Sequence, residues 1–206
     1  MRLTLHTFLT LDGVMQAPGG PQEDPSGGFE HGGWSFPYGD ADFGAAIDGW
    51  FAAADAFLLG RRTYEIFSAH WPRVTDPADP VASKLNTLPK YVASTTVQSV
   101  TWHNSSLLGP DIAAEVGKLK EQPGNELQVH GSGALAQTLI EHDLIDEYRL
   151  LTFPVHVGPG KRLFRDSTKP AALRLISAST TSTGVVIATY EPAGPVQHGS
   201  YALDET

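Results

Sequence analysis

The chain alternates short apolar runs with stretches of helical period. Residues 2–11 (RLTLHTFLTL) are rich in Leu, Thr and Phe and stop at Asp12-Gly13, which predicts a strand. Residues 12–39 are rich in Gly and Pro and poor in aliphatic side chains, which predicts a long loop. Trp34, Phe36 and Tyr38 near its end predict that this loop packs against the body of the protein. Asp40 or Asp42 can cap a helix running to about Ala54, with Phe43, Ile47, Trp50 and Phe51 on one face. Ala56–Leu59 reads as a buried strand ending at Gly60. Arg61–His70 reads as a helix, with Tyr64, Phe67 and Trp71 at helical spacing. Residues 72–80 read as a loop and Val81–Leu88 as a short helix.

Lys90–Ser94 and Val100–Trp102 predict two more strands. Pro110 suits the first turn of a helix, with Asp111 beside it and Ile112, Val116 and Leu119 on its apolar face. Pro123-Gly124 stops that helix. Glu126–His130 predicts a strand, Ser132–His142 a helix, Ile145–Phe153 a strand and residues 154–160 a turn-rich loop. Leu173–Ser179 and Val185–Tyr190 predict a hairpin around Thr183-Gly184. Alternation of this kind implies an α/β fold with a mixed, mostly parallel sheet, helices on both faces and an antiparallel C-terminal hairpin. Residues 1–191 form the expected domain and 192–206 a polar C-terminal tail.

Composition narrows the function classes. A length of 206 residues suits one domain. Cysteine is absent, which excludes disulfides, thiolate metal sites and a Cys nucleophile. A net charge of −9 disfavours nucleic-acid binding, which needs clustered Lys and Arg. The first residues carry no apolar signal core. The most apolar stretch, 50–60, is too short to cross a bilayer and is broken by Asp55. A cytoplasmic enzyme with no membrane contact is therefore expected. The eight histidines show no metal-binding spacing, so no metal is expected, and G-x-S-x-G is absent.

Two strand-to-helix junctions carry chemistry. Gly131-Ser132-Gly133-Ala134-Leu135 opens a helix, where backbone N–H groups bind phosphates and glycine lets a ligand approach. The string satisfies G-x-G-x-x-A, but it lies late in the chain and is followed by a hairpin, unlike a Rossmann half; a tight structural turn is the competing reading. Gly60-Arg61-Arg62-Thr63 opens another helix with two arginines, which the helix dipole disfavours unless an anion offsets the cost; a solvated basic pair is the alternative. Ser94 and Thr95 follow a strand end, where open α/β sheets bind ligands. Asp12-Gly13 reads as a tight turn or as a carboxylate facing a substrate, with Asp40 and Asp42 as rivals for that role and helix capping as their alternative.

Taken in order, Leu11-Asp12-Gly13, Leu59-Gly60-Arg61-Arg62-Thr63-Tyr64-Glu65, Val92-Ala93-Ser94-Thr95, His130 to Leu135, Leu144 to Leu150 and Gly158-Pro159-Gly160-Lys161-Arg162-Leu163-Phe164 resemble the dihydrofolate reductase-like superfamily. The chain looks closest to the reductase domain of the bifunctional riboflavin-biosynthesis deaminase-reductase and its stand-alone relatives. The resemblance implies a three-layer dihydrofolate reductase-like fold, NADPH as cofactor and a homodimer. It places Gly60, Arg61, Arg62 and Thr63 with Ser94 and Thr95 at the adenosine and its 2′-phosphate. It places Gly131, Ser132, Gly133, Ala134 and Leu135 at the pyrophosphate, and Asp12 and Gly13 beside the nicotinamide and substrate. Hydride transfer from NADPH to a small heterocyclic or carbonyl substrate follows, with Asp12 and then Asp42 as catalytic candidates and Trp34, Phe36 and Trp50 as pocket walls. The alternatives are a non-catalytic NADPH-binding module or a dimeric interaction protein. The zinc signature of the deaminase half cannot exist without Cys.

Overall fold

Apolar side chains occupy both faces of a central sheet, so the chain must cover it twice. A computed structural model of the protein describes residues 1–202. Eight strands and five α-helices follow in the order β1 (Arg2–Thr10), α1 (Ala41–Ala52), β2 (Ala54–Gly60), α2 (Arg61–His70), α3 (Pro80–Thr87), β3 (Lys90–Ala93), β4 (Ser105–Leu107), α4 (Ile112–Glu121), β5 (Glu126–His130), α5 (Gly133–Glu141), β6 (Glu147–Phe153), β7 (Leu173–Thr180) and β8 (Val186–Pro192). They form one sheet ordered β4-β3-β2-β5-β1-β6-β8-β7. The first six strands of that order pair in parallel, and β8 runs antiparallel to both β6 and β7. The α/β class, the mostly parallel sheet and the closing hairpin agree with the sequence pattern.

Alternation along the strands assigns each side chain a face. Leu3, Leu5 and Leu9 of β1 join Leu127 and Val129 of β5 beneath α4 and α5, whose Val116, Leu119, Leu135 and Leu139 complete that core. Phe57, Leu59 and Val92 meet Phe51, Tyr64 and Leu85 of α1, α2 and α3 on the opposite face. Leu5, Leu127 and Leu139 are fully buried. Each such side chain stabilises the fold by about 1.5–3 kcal/mol relative to exposure.

Local chemistry sets the helix ends. The Asp40 carboxylate accepts the Phe43 amide and caps α1, leaving Asp42 in its first turn. The Asp111 carboxylate accepts the Ala114 amide, so Asp111 is the cap of α4 and Pro110 lies outside the first turn where it was expected. The expected strand at Val100–Trp102 is absent. The Tyr64 hydroxyl accepts the Thr101 and Trp102 amides at 2.9 and 3.1 Å, which removes them from any ladder, and pairing with β3 begins at Ser105 instead. The expected tail at 192–206 is shortened at its start: Ala193 and Gly194 still exchange backbone hydrogen bonds with Ala172, whereas 203–206 lie outside the described residues.

Candidate active site

The parallel strands all end at one edge of the sheet, where Thr10, Gly60, Ala93, His130 and Phe153 lie. There the neighbours β2 and β5 send their following helices to opposite faces, α2 toward the Tyr64 core and α5 toward the Leu135 core. A crevice must open at such a switch point, and α/β sheets bind ligands there.

One side chain joins the two junctions. The Ser132 hydroxyl accepts the Gly60 amide at 2.9 Å and donates to the His130 carbonyl at 3.0 Å. The Thr63 hydroxyl accepts the Ser132 amide at 3.2 Å. Gly131 and Ser132 both adopt left-handed backbone, at φ +55° and +54°. The Ser132 side chain is therefore spent on the neighbouring strand and leaves the amides at the start of α5 without a side-chain cap. α2 also begins without one. Two helix N-termini with this character present partial positive charge to one crevice, which suits a phosphate group. A Cβ on Gly133 would stand 3.0 Å from Met15 Sδ and 3.8 Å from a guanidinium nitrogen of Arg165, so the glycine lets Met15 pack closely against the start of α5.

The arginines differ from their expected state. Arg61 pairs with Glu65 at 3.0 Å, one turn along α2. Arg62 pairs with Asp24, whose other carboxylate oxygen accepts Lys161 at 2.6 Å. Their charge at a helix start is thus offset within the protein, and no bound anion is needed for that. Asp24 is buried, yet its carboxyl is held below the ordinary carboxylate range: burial alone would raise it, but bonds from Lys161 and Ser26 outweigh that. The loop carrying Asp24 is placed by these contacts. The Gln16 side chain donates to the Asp24 and Ser26 carbonyls and accepts the Lys161 amide. A cavity of about 410 Å³ lies between this loop and Pro159-Gly160-Lys161, with Gln16, Phe29, Glu30 and His31 among its walls.

The remaining expected residues are dispersed. The Asp12 carboxylate accepts the Thr10 hydroxyl and the Gly158 and Val157 amides, and Arg162 lies 3.6 Å away. Burial would raise its pKa, but these bonds hold it below the usual value. Asp42 accepts the Ser182 amide at the turn between β7 and β8, away from the Asp12 contacts. Gly13 sits in the turn at φ +82°. Trp34 is buried, donates to the Gln16 carbonyl and packs edge-on to Phe153 at 5.2 Å. Trp50 packs against the same aromatic cluster, whereas Phe36 is 84% exposed and joins neither. The Ser94 hydroxyl accepts the Thr96 and Val97 amides, closing a local turn, and Thr95 is exposed. Asp24, Met15 and Arg165 also lie at these junctions, and no sequence motif marks them; Lys161 falls within the Gly158-to-Phe164 string.

Comparison with known proteins accords with this geometry. The RibD C-terminal domain family matches residues 2–187. "Uncharacterized protein YyaP" of Bacillus subtilis (strain 168) is 30% identical over 195 residues, covering 92% of this chain and 94% of that one. Among solved structures, a putative riboflavin biosynthesis protein from Shewanella sp. PV-4 superposes with a TM-score of 0.66 at 20% identity, covering 94% and 99% of the two chains. Dihydrofolate reductase from Enterococcus faecalis complexed with NADP(H) superposes with a TM-score of 0.59 at 10% identity, covering 93% and 96%. The fold is dihydrofolate reductase-like, and the chain belongs to the RibD C-terminal domain family.

Proposed function

We propose that the protein is an NADPH-dependent reductase acting on a small heterocyclic or carbonyl substrate. The observation that carries this reading is the Ser132 bridge, which fixes two uncapped helix N-termini side by side at the switch point of the sheet. Family membership and the reductase-type fold support it.

The amides of Gly133 to Leu135 and of Arg61 to Thr63 would hold the phosphates, with Arg165 as a cation at the mouth of α5. Arg61, Arg62, Ser94 and Thr95 would face the adenosine and its 2′-phosphate, which favours NADPH over NADH. The cofactor would supply the hydride; the protein positions the rings and excludes water. Gly13, Trp34 and Trp50 would border the substrate, with Phe36 as an exposed residue of the same loop. The cavity beside Gln16, Phe29 and Lys161 has a volume within the range of small-molecule sites. Asp12 is ionised and fully engaged, so its role in this reading is to hold the 156–158 segment over the site. Asp42 acts at the hairpin turn.

The same reading includes a cytoplasmic homodimer. Leu175, Ile176 and Val186 are exposed on the terminal hairpin, where a second copy would cover them. Among the described residues no helix is long and apolar enough to cross a membrane. Calorimetric titration with NADPH and NADH tests the cofactor, with tighter NADPH binding expected. Oxidation of NADPH across a panel of pterins, pyrimidines and quinones then tests catalysis. Absence of binding by either cofactor overturns the reading.

A further inference from the structure

The Asp24 carboxylate lies between two cations from different parts of the fold. One oxygen accepts Arg62 and, at 2.6 Å, the Ser26 hydroxyl; the other accepts Lys161 Nζ at 2.6 Å. The Ser26 amide donates to the carboxylate at 3.2 Å, and the Ser26 hydroxyl accepts Lys161 Nζ at 2.7 Å. The Asp24 side chain is 8% exposed, whereas those of Arg62 and Lys161 are 43% and 45% exposed. The acid is thus the buried member, and both cations reach solvent.

Each cation belongs to one wall of the crevice. Arg62 lies in the first turn of α2, between Gly60, whose amide donates to the Ser132 hydroxyl, and Thr63, whose hydroxyl accepts the Ser132 amide. The Lys161 carbonyl accepts the Met15 amide at 2.8 Å, and Met15 packs against Gly133 at the start of α5. Asp24 is therefore a strap between the α2 side and the α5 side. Ser26 and Lys161 also line the cavity of about 410 Å³, which gives these donors an opening to a ligand.

Stability does not account for the arrangement. Half-exposed ion pairs contribute little, and burying a carboxylate costs desolvation. A guanidinium, an ammonium and a hydroxyl converging on one anion are instead a donor set for a phosphate, whose larger charge gives it the stronger hold. We propose that Arg62, Lys161 and Ser26 form a phosphate site that the chain fills with its own Asp24, and that a ligand phosphate displaces this carboxylate. This rests on the NADPH reading above, in which Arg62 faces the 2′-phosphate. A carboxylate and a phosphate cannot share the two cations at hydrogen-bond distance, because like charges that close repel. The ligand has to expel Asp24, and its apparent affinity is reduced by that competition. The neutral 2′-hydroxyl of NADH gains too little to do so. Gln16 holds the backbone of the strap through the Asp24 and Ser26 carbonyls, so only the carboxylate has to turn away.

Asp24→Asn keeps the shape and removes the competing charge. Calorimetry at constant ionic strength compares NADPH, NADH and inorganic phosphate, with Asp24→Ala as a second variant and melting temperatures as the check on folding. NADPH is expected to bind both variants about fivefold more tightly than the wild type, on the scale of a screened ion pair, and NADH to bind all three proteins alike. A gain for NADH as well supports displacement by the cofactor's diphosphate, and a gain for inorganic phosphate alone supports displacement by a phosphate on the substrate. Unchanged or weaker binding of all three ligands overturns the proposal and makes Asp24 an anchor for Arg62 and Lys161. The wild type gives an independent reading through NMR of the labelled Asp24 carboxyl carbon. Burial raises the pKa of this group, but bonds from Lys161 and Ser26 hold it below the ordinary carboxylate range. Saturating NADPH is expected to return it to that range or above; a pKa that stays low overturns the proposal even if neither variant folds. If no protein binds either nucleotide, the NADPH reading falls, and inorganic phosphate alone decides whether the site stands.

Discussion

The imidazole rings of His6 and His130 stack with centroids 4.7 Å apart and planes 23° from parallel, in the layer between α1 and the sheet. Phe51 stacks on the other side of His130 at 4.6 Å. Arg149 lies nearby and is held by Glu126 and Glu147. Neither imidazole can be protonated cheaply there. Burial, then Arg149, pushes His130 down to about 3, and burial, then His130 and Arg149, pushes His6 well below its ordinary value.

Acid lability follows. Both histidines are neutral in the folded chain, whereas the unfolded chain takes up protons near 6.5. Their contribution is thus complete above that value and is lost as pH falls toward about 3 for His130. Each is expected to steepen the loss by about 1.4 kcal/mol per pH unit within that window. Urea unfolding measured between those values reads the slope, and His130→Phe is expected to reduce it by about one such increment. An unchanged slope shows that His130 is protonated in the folded state.

Ser132→Ala deletes the bridge between the two junctions. The Gly60 amide loses its acceptor in a half-buried setting, which costs about 1–3 kcal/mol. Denaturant midpoints check the cost. In the proposed function, affinity for NADPH falls with it, since β2 and β5 no longer hold their helix starts in register.

Asp12→Ala is expected to free the 156–158 segment. Amide exchange at Val157 and Gly158 should speed up, because both amides lose the carboxylate they donate to. The held-down pKa also has a sign. The stabilisation is full above about 3.8 and disappears as pH falls through the lower folded value. A rate profile near neutral pH should therefore show no titration of Asp12; an inflection there that Asp12→Asn abolishes would reverse that assignment.

Asp24 ties the 14–39 loop to α2 and to Lys161 through two cations that are themselves nearly half exposed. Screening discounts such pairs, so Asp24→Ala is expected to loosen the loop by about 1 kcal/mol, or roughly fivefold faster proteolysis within 14–39. High salt should move the wild type in the same direction.

Much of this was legible in the residues. Strand and helix periods gave the layered sheet, and the two glycine junctions at Gly60 and Gly131 do meet. The failures have local causes. Val100–Trp102 has strand composition, but the Tyr64 hydroxyl of α2, packed on the same face, takes the Thr101 and Trp102 amides. The pairing of Arg61 with Glu65, one turn away, was open to helical spacing, whereas that of Arg62 with Asp24 was not, since Asp24 sits in a loop whose path no periodicity reveals.

The place of β5 between β1 and β2 has a consequence for biosynthesis. β1 leaves the ribosome well before its two partners in the sheet, which begin at Glu126 and Glu147. An apolar strand must therefore wait, unpaired, until the chain beyond Glu126 has emerged. Contacts this distant in sequence slow folding and leave a sticky segment exposed meanwhile. Nascent chains that stop short of residue 126 should consequently depend on chaperones far more than the finished protein does.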